Sequence, residues 1–299
     1  MPLITTLAAA SICLAAGADQ PAAEPDIQAD TQAPPSEISV DTNADRVHAT
    51  VDLSFTSQYF FRGIIQETDG FIFQPSVEFG FDLYETDTWS LGAYAGIWNS
   101  FHDQETGSAD PDDFVSKWYE IDYYLGFSFN TGRVTADLAY TIYASPNDAY
   151  TSVEEFIFTL AFDDEGLLGP IAFAPYATLA LEVGDGTGDG GANQGLFLGL
   201  GIEPAHTFEN SPIGDVTLSV PIEAGFSLDD YYEGATGDES FGYFTAGLAA
   251  SVPLPAPSGF GAWSFSAGVD YLLLGDSNQA LNAGDDSEFI VHAGVTFEF

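Results

Sequence analysis

The chain has little of what a soluble enzyme or a nucleic-acid binder depends on. Cysteine and methionine each occur once in 299 residues. Cys13 lies in the N-terminal apolar run, so a mature chain without that run has no cysteine and no disulfide. Positive charge is scarcer than negative by an order of magnitude: Lys+Arg number 4 against 46 Asp+Glu, for a net charge of -42. Phosphate backbones are bound by Lys and Arg and repelled by carboxylates, so this balance excludes a nucleic-acid partner. It also disfavours adhesion to an anionic lipid surface, and it permits a surface or channel that attracts cations. A salt-rich habitat is the ordinary alternative reason for such an acid excess. No stretch beyond the N-terminal run approaches the ~20 unbroken apolar residues of a transmembrane helix. If the mature chain enters a membrane, it must do so as a closed barrel, because lipid cannot satisfy an open strand edge.

What is present favours strands. Gly 31, Phe 25 and Tyr 14 are high counts, and helix formers are in the minority. Met1 to Ala18 reads as an export signal, a short apolar core followed by the small-x-small pattern Ala16-Gly17-Ala18, although its start lacks Lys or Arg. Ile12 stands before Cys13 where a lipoprotein signal takes a small residue, which argues against lipidation there. Residues 19–45 are rich in Ala, Pro, Asp, Glu, Gln and Thr and read as a disordered acidic tether. Residues 46–299 are left for a single barrel.

Twelve alternating runs follow, separated by turn signals: Val47 to Tyr59, Phe71 to Tyr84, Trp89 to Asn99, Trp118 to Phe129, Val134 to Tyr143, Val153 to Phe162, Ile171 to Val183, Gly195 to Glu203, Val216 to Leu228, Gly242 to Val252, Phe260 to Leu273 and Glu288 to Phe299. In the fourth, Tyr123, Leu125, Phe127 and Phe129 alternate with Asp122, Tyr124, Gly126 and Ser128. Connections after even-numbered runs are short, as at Glu85 to Thr88, Asn130 to Gly132 and Asp163 to Gly169. Those after odd-numbered runs are often longer and rich in Asp, Gly and Asn. This asymmetry, an even strand count and aromatic-rich alternation predict a closed, all-β antiparallel transmembrane barrel of about twelve strands with both termini on the periplasmic side. The terminal Phe299 resembles the signal read by the bacterial barrel-assembly machinery. A secreted sandwich or jelly roll would also alternate, but it would not need so many Phe and Leu on one face along twelve strands. Tyr59, Tyr84, Trp89, Trp118, Tyr119, Tyr143, Trp263 and Tyr271 are the expected interfacial aromatics.

Within Val51 to Ser100 stand Ser57-Gln58-Tyr59-Phe60-Phe61-Arg62-Gly63-Ile64-Ile65-Gln66, then Phe73-Gln74-Pro75-Ser76-Val77-Glu78, then Gly92-Ala93-Tyr94-Ala95-Gly96-Ile97-Trp98-Asn99-Ser100. This segment resembles the N-terminal signature of the TorF-type porin family of Gram-negative outer membranes, and the likeness extends over about 47–162. Ile65, where that family usually has Ser, and the scarcity of basic residues are departures. The resemblance implies an exported outer-membrane barrel with a porin-like role.

On the polar face of the runs sit Asp52, Glu78, Asp82, Glu120, Asp122, Asp137, Glu155, Glu182, Glu203, Glu223, Asp270 and Glu298. If the apolar face meets lipid, these carboxylates line the lumen and keep water, cations or an arginine as partners, since a buried unpaired carboxylate is costly. Arg62 stands nearly alone among them. Its guanidinium is expected to fold back onto Glu78, Glu120, Asp122 or Glu155 and narrow the entrance; a capping arginine bonded to loop carbonyls is the plainer reading. The pore-lining set is thus Arg62, Asp52, Glu78, Glu120, Asp122, Asp137, Glu155, Glu182, Glu223 and Asp270. Gly184 to Gly191, Asp110 to Asp113 and Asp285-Asp286 look like calcium loops, yet none has a full ligand spacing. The four histidines, His48, His102, His206 and His292, belong to no Gly-x-Ser-x-Gly or His-Glu-x-x-His motif.

The sequence therefore reads as a non-enzymatic outer-membrane channel that passes small solutes passively, with cation preference and no cofactor. Its expected partners are outer-membrane lipid, lipopolysaccharide, and the assembly machinery through Phe299. A binding or structural barrel acting through acidic extracellular loops is the alternative, and a barrel hydrolase comes third.

Overall fold

Period-two alternation builds a wall whose two faces meet different surroundings, and that wall accounts for most of the structure. The computed structural model describes residues 46–110, 113–167, 169, 171–234, 237–256 and 259–299; the export signal with Cys13 and the tether lie outside the described residues. The wall strands are β1 (Val47–Thr56), β2 (Ile72–Glu85), β3 (Trp89–His102), β4 (Trp118–Thr131), β5 (Val134–Ala144), β6 (Val153–Phe162), β7 (Tyr176–Val183), β8 (Leu196–Ile202), β9 (Ile222–Asp229), β10 (Phe241–Leu254), β11 (Ala262–Leu274) and β12 (Ser287–Glu298). Each pairs antiparallel with the next. β12 returns to β1 with Val51 opposite Phe297 and Thr56 opposite His292, which closes a twelve-stranded barrel. Phe299 completes the seam: its N–H donates to the Ala49 carbonyl at 2.9 Å and its carbonyl accepts the Ala49 N–H at 3.0 Å.

The faces divide as the alternation requires. Phe156, Phe158, Leu160 and Phe162 of β6 are exposed outward, while Val153, Glu155, Ile157 and Thr159 are buried inward. In β4, Leu125, Phe127 and Phe129 point out and Asp122 points in. The barrel therefore presents an apolar outer belt and an interior that mixes carboxylates with aromatic rings. Among the described residues, no helix is long and apolar enough to cross a membrane.

Three expectations about the elements are corrected. The first run does not continue as wall to Tyr59: β1 ends at Thr56, and Tyr59–Phe61 with Ile64–Glu67 form a separate hairpin. The ninth run is two pieces, Gly214–Ser219 and β9. The first pairs with Ala205–Ser211 in a hairpin that extends the wall beside the end of β10, with Thr217 opposite Ser251. It alternates because it lies in the same sheet, so two of the connections after even-numbered strands, 163–175 and 203–221, are long rather than short. Finally, Tyr59, Tyr119 and Tyr143 are not interfacial: they are 3%, 8% and 2% exposed. Tyr59 lies on the inner hairpin, and a register shift between Ser100 and Phe101 against β4 lies beside Tyr119, which is buried. Tyr143 shares the parity of inward Asp137. Tyr84, Trp89 and Tyr271 do lie outward.

Candidate functional site

The site is the hairpin after β1, folded into the barrel. Phe61 and Ile64 pair across the two-residue turn Arg62-Gly63, with φ of 48° and 81°. Positive φ at both central residues is the type I′ geometry that matches strand twist, and the sequence supplies glycine at only one of them. Tyr59, Phe61 and Ile64 are 3–5% exposed, and burial of each such side chain stabilises the inward position by about 1.5–3 kcal/mol. Tyr59 and Phe61 pack with Trp98, Tyr119 and Tyr143, and Ile64 belongs to a second cluster with Tyr231, Tyr232 and Tyr243. The hairpin thus bridges two sides of the wall.

At its tip Arg62 is 7% exposed. Its Nη1 donates to Glu155 Oε1 at 2.6 Å and its Nη2 to Glu155 Oε2 at 2.8 Å, a bidentate pair. The Nη1 also donates to the Tyr231 hydroxyl at 2.5 Å, and the Tyr232 hydroxyl donates to the Arg62 carbonyl at 2.8 Å. Tyr143 donates to the second Glu155 oxygen at 2.7 Å. The guanidinium lies over Phe197 and Phe61, 4.6 Å and 4.8 Å from the ring centres. Burial alone would lower the Arg62 pKa. Glu155, with Tyr231 and Tyr143, more than reverses this and holds it well above its ordinary value, so the clamp keeps its charge. Burial pushes the Tyr231 hydroxyl up, and it stays neutral.

The other carboxylates of the predicted set are inward and differ in their partners. Glu182 stands opposite Glu155 across β6 and β7. It accepts the Gly188 and Gly195 N–H groups at 2.5 Å and 2.7 Å, so the Gly/Asp-rich loop folds onto a wall residue. Glu223 accepts the Tyr176 hydroxyl at 2.6 Å and a short bond from Tyr243. Glu120 accepts the Tyr59 hydroxyl at 2.9 Å, and Asp122 is wholly buried near it. Asp52 accepts Thr296 Oγ1 at 2.8 Å. Asp137 and Asp270 are 5% and 2% exposed, and Glu78 is half-buried. Of the four partners expected for Arg62, only Glu155 receives it.

Sequence reasoning missed Tyr231, Tyr232, Phe197 and Tyr143, which complete the clamp. Two adjacent tyrosines inside an acidic loop were the available signal. It missed also that Ser100 Oγ lies 2.9 Å from His102 Nε2, with Glu67 Oε2 3.8 Å from Nδ1. This has the order of a hydrolase triad. Yet Ser100 is 0% exposed, its Oγ also accepts Gln74 Nε2 at 3.3 Å, and His102 Nδ1 has no hydrogen-bond partner, so the third contact of a triad is not made.

A family model described as a bacterial protein of unknown function (Gcw_chp) matches residues 41–175. No curated protein matches the chain. Among solved structures, the chain is similar to an outer membrane channel from Pseudomonas putida F1 (10% identity, TM-score 0.46, covering 87% of this chain and 100% of that one). It is also similar to the beta domain of the Bordetella autotransporter BrkA (14%, 0.41, 84% and 98%) and to LpxR from Salmonella typhimurium (11%, 0.39, 83% and 99%). Similarity at this level carries no information about solute or chemistry.

Proposed function

We propose that the chain is a porin-like channel of the Gram-negative outer membrane, passing small solutes passively with a preference for cations, its lumen narrowed by the hairpin clamped at Arg62. The observation that carries this reading is the pairing of an apolar outer belt with an acidic interior in which Arg62, the one lysine or arginine among the inward residues described above, is neutralised by Glu155. Carboxylates in a confined lumen raise the local concentration of cations and repel anions. The likeness of residues 51–100 to the TorF-type porins supports the same reading. The closing position of Phe299 at the seam fits engagement by the assembly machinery, with both chain ends on the periplasmic side and the longer acidic loops toward lipopolysaccharide.

The test is a reversal potential across a potassium chloride gradient with the refolded protein in a planar bilayer. A cation-selective potential is expected, and anion preference would overturn the acidic-lumen account. In the same recordings Arg62→Ala is expected to raise conductance by freeing the hairpin; unchanged conductance and selectivity would remove the clamp from the mechanism.

A further inference from the structure

Against the clamp lie the loops after β7 and β9, and each touches it. Gly188 of the first, whose N–H donates to Glu182, stands where a Cβ would be 3.2 Å from the Tyr231 hydroxyl and 3.6 Å from Phe61 Cε1. The second supplies Tyr231 and Tyr232, whose hydroxyls bond the Arg62 side chain and carbonyl. The loops also touch one another. Gly195 lies so near Tyr231 that a Cβ on it would be 2.4 Å from the Tyr231 Cα. Glu233, one residue beyond Tyr232, accepts the N–H groups of Ala192 and Asn193 at 2.5 Å and 2.9 Å and Asn193 Nδ2 at 2.8 Å. The Glu233 N–H in turn donates to Asp189 Oδ2 at 2.7 Å. Tyr231 and Tyr232 are 1% and 0% exposed beneath these contacts, whereas Ala192 and Asn193 lie at the surface.

Closure is opposed from within. Six of the twelve residues 184–195 are glycine, so ordering that loop costs more chain entropy than most. Asp230, which leads into Tyr231, has a φ of 44°, in the left-handed region that favours glycine. Neither 184–195 nor 229–241 contains Lys, Arg or His, so the acids of the two loops meet with no basic side chain of their own between them. Against these costs stand bonds that converge on one carboxylate, Glu233, with its donors at the surface, where local fluctuation can undo them. The tyrosines are tied to it: Tyr231 and Tyr232 are the two residues before Glu233, so a loop that swings away from Asn193 carries both off Arg62. We propose that the two loops are a gate closed over the clamp, with Glu233 as its latch, and that opening withdraws Tyr231 and Tyr232 from Arg62 together. The proposal deepens the channel reading, on which it rests only for the claim that solute passes when the gate opens.

The experiment is tyrosine nitration by tetranitromethane, mapped by mass spectrometry, on the full chain refolded in detergent micelles. Glu233→Ala removes the latch. Asn193→Asp replaces the Nδ2 donor with a second carboxylate facing Glu233, and as a change at an exposed loop residue it keeps the test open should the first variant not fold. Heat-modifiable gel migration verifies folding. In both variants Tyr231 and Tyr232 are expected to be nitrated about tenfold faster than in the wild type, the factor for loss of a charge-assisted hydrogen bond. Tyr59 and Tyr243, 3% and 4% exposed in the same interior, are expected to keep their wild-type rates. Wild-type rates at Tyr231 and Tyr232 in a folded variant overturn the gate, and so does equal acceleration at all four tyrosines, which would be general loosening. In planar bilayers the variants are expected to be open for a larger share of the time than the wild type. Faster nitration at Tyr231 and Tyr232 with no conductance from any of the proteins would sink the channel reading and leave the gate standing; conducting variants with wild-type nitration would do the reverse.

Discussion

At Arg62 two costly choices coincide. A non-glycine residue takes a left-handed φ of 48°, and a full positive charge sits 7% exposed. The first costs about 1–2 kcal/mol, and the second is tolerable only with a partner of matched geometry. The bidentate Glu155 carboxylate, the Tyr231 hydroxyl and the flanking rings supply it. Glu155→Gln leaves the guanidinium buried with a neutral partner, so it is expected to lower stability toward urea by about 3 kcal/mol or more. Adding Arg62→Met should restore a large part of that loss; a double variant no more stable than the single one would show that the pair is not the unit. Arg62 was legible in the sequence because basic residues are so few, and Glu155 because its neighbours Phe156 and Phe158 fix its face. Tyr231 was not, since no local pattern says that a residue 169 positions away folds back onto the arginine.

For the elements, the alternation named all twelve wall strands but could not say where a strand leaves the wall. The run from Val51 to Gln66 keeps its polarity through Ser57 and Gln58, and period two is the same for a strand that continues as for one that turns inward. Gly63 gave the turn, yet its demand is stronger than a bare turn implies. A Cβ there would meet Asn278 Nδ2 and Tyr243 Cβ, each at 2.8 Å, on a φ of 81°. Gly63→Val is therefore expected to expel the hairpin. Trypsin reports it directly: the peptide bond after Arg62 is protected in the wild type and becomes cleavable in the variant, as mass spectrometry of the fragments would show; a protected variant would mean that the hairpin stays docked.

The loops after β7 and β9 are joined by a different device. Glu233 accepts the Ala192 and Asn193 N–H groups at 2.5 Å and 2.9 Å and Asn193 Nδ2 at 2.8 Å. These bonds, led by the Asn193 N–H, hold its carboxyl below the ordinary 4.5. Because the folded value is the lower one, the contribution is complete above the unfolded value and is lost as pH falls through the folded one. Amide exchange at Ala192 and Asn193 should thus accelerate as the pH falls below the ordinary glutamate range, beyond the intrinsic change with pH; unaltered protection would disconnect the loops from this carboxylate.

For the whole molecule, closure and the division of faces followed from composition and alternation, because both answer to one requirement: an apolar exterior with no free edge. Connection lengths were less legible. The hairpin Ala205–Ser211 and Gly214–Ser219 is wall by pattern and appendage by position. What the interior holds was least legible, because it depends on contacts between segments far apart along the chain. Those same contacts tie the start of the wall to its far end. The inner hairpin follows the first strand, and its tip grips residues 93 to 170 positions later, while the seam that shuts the ring joins that first strand to the last. The first strand and its hairpin are therefore held by contacts spread over nearly the whole wall, from the strand that follows it to the one that ends the chain. The loop that constricts the finished lumen is also the one around which the ring is completed.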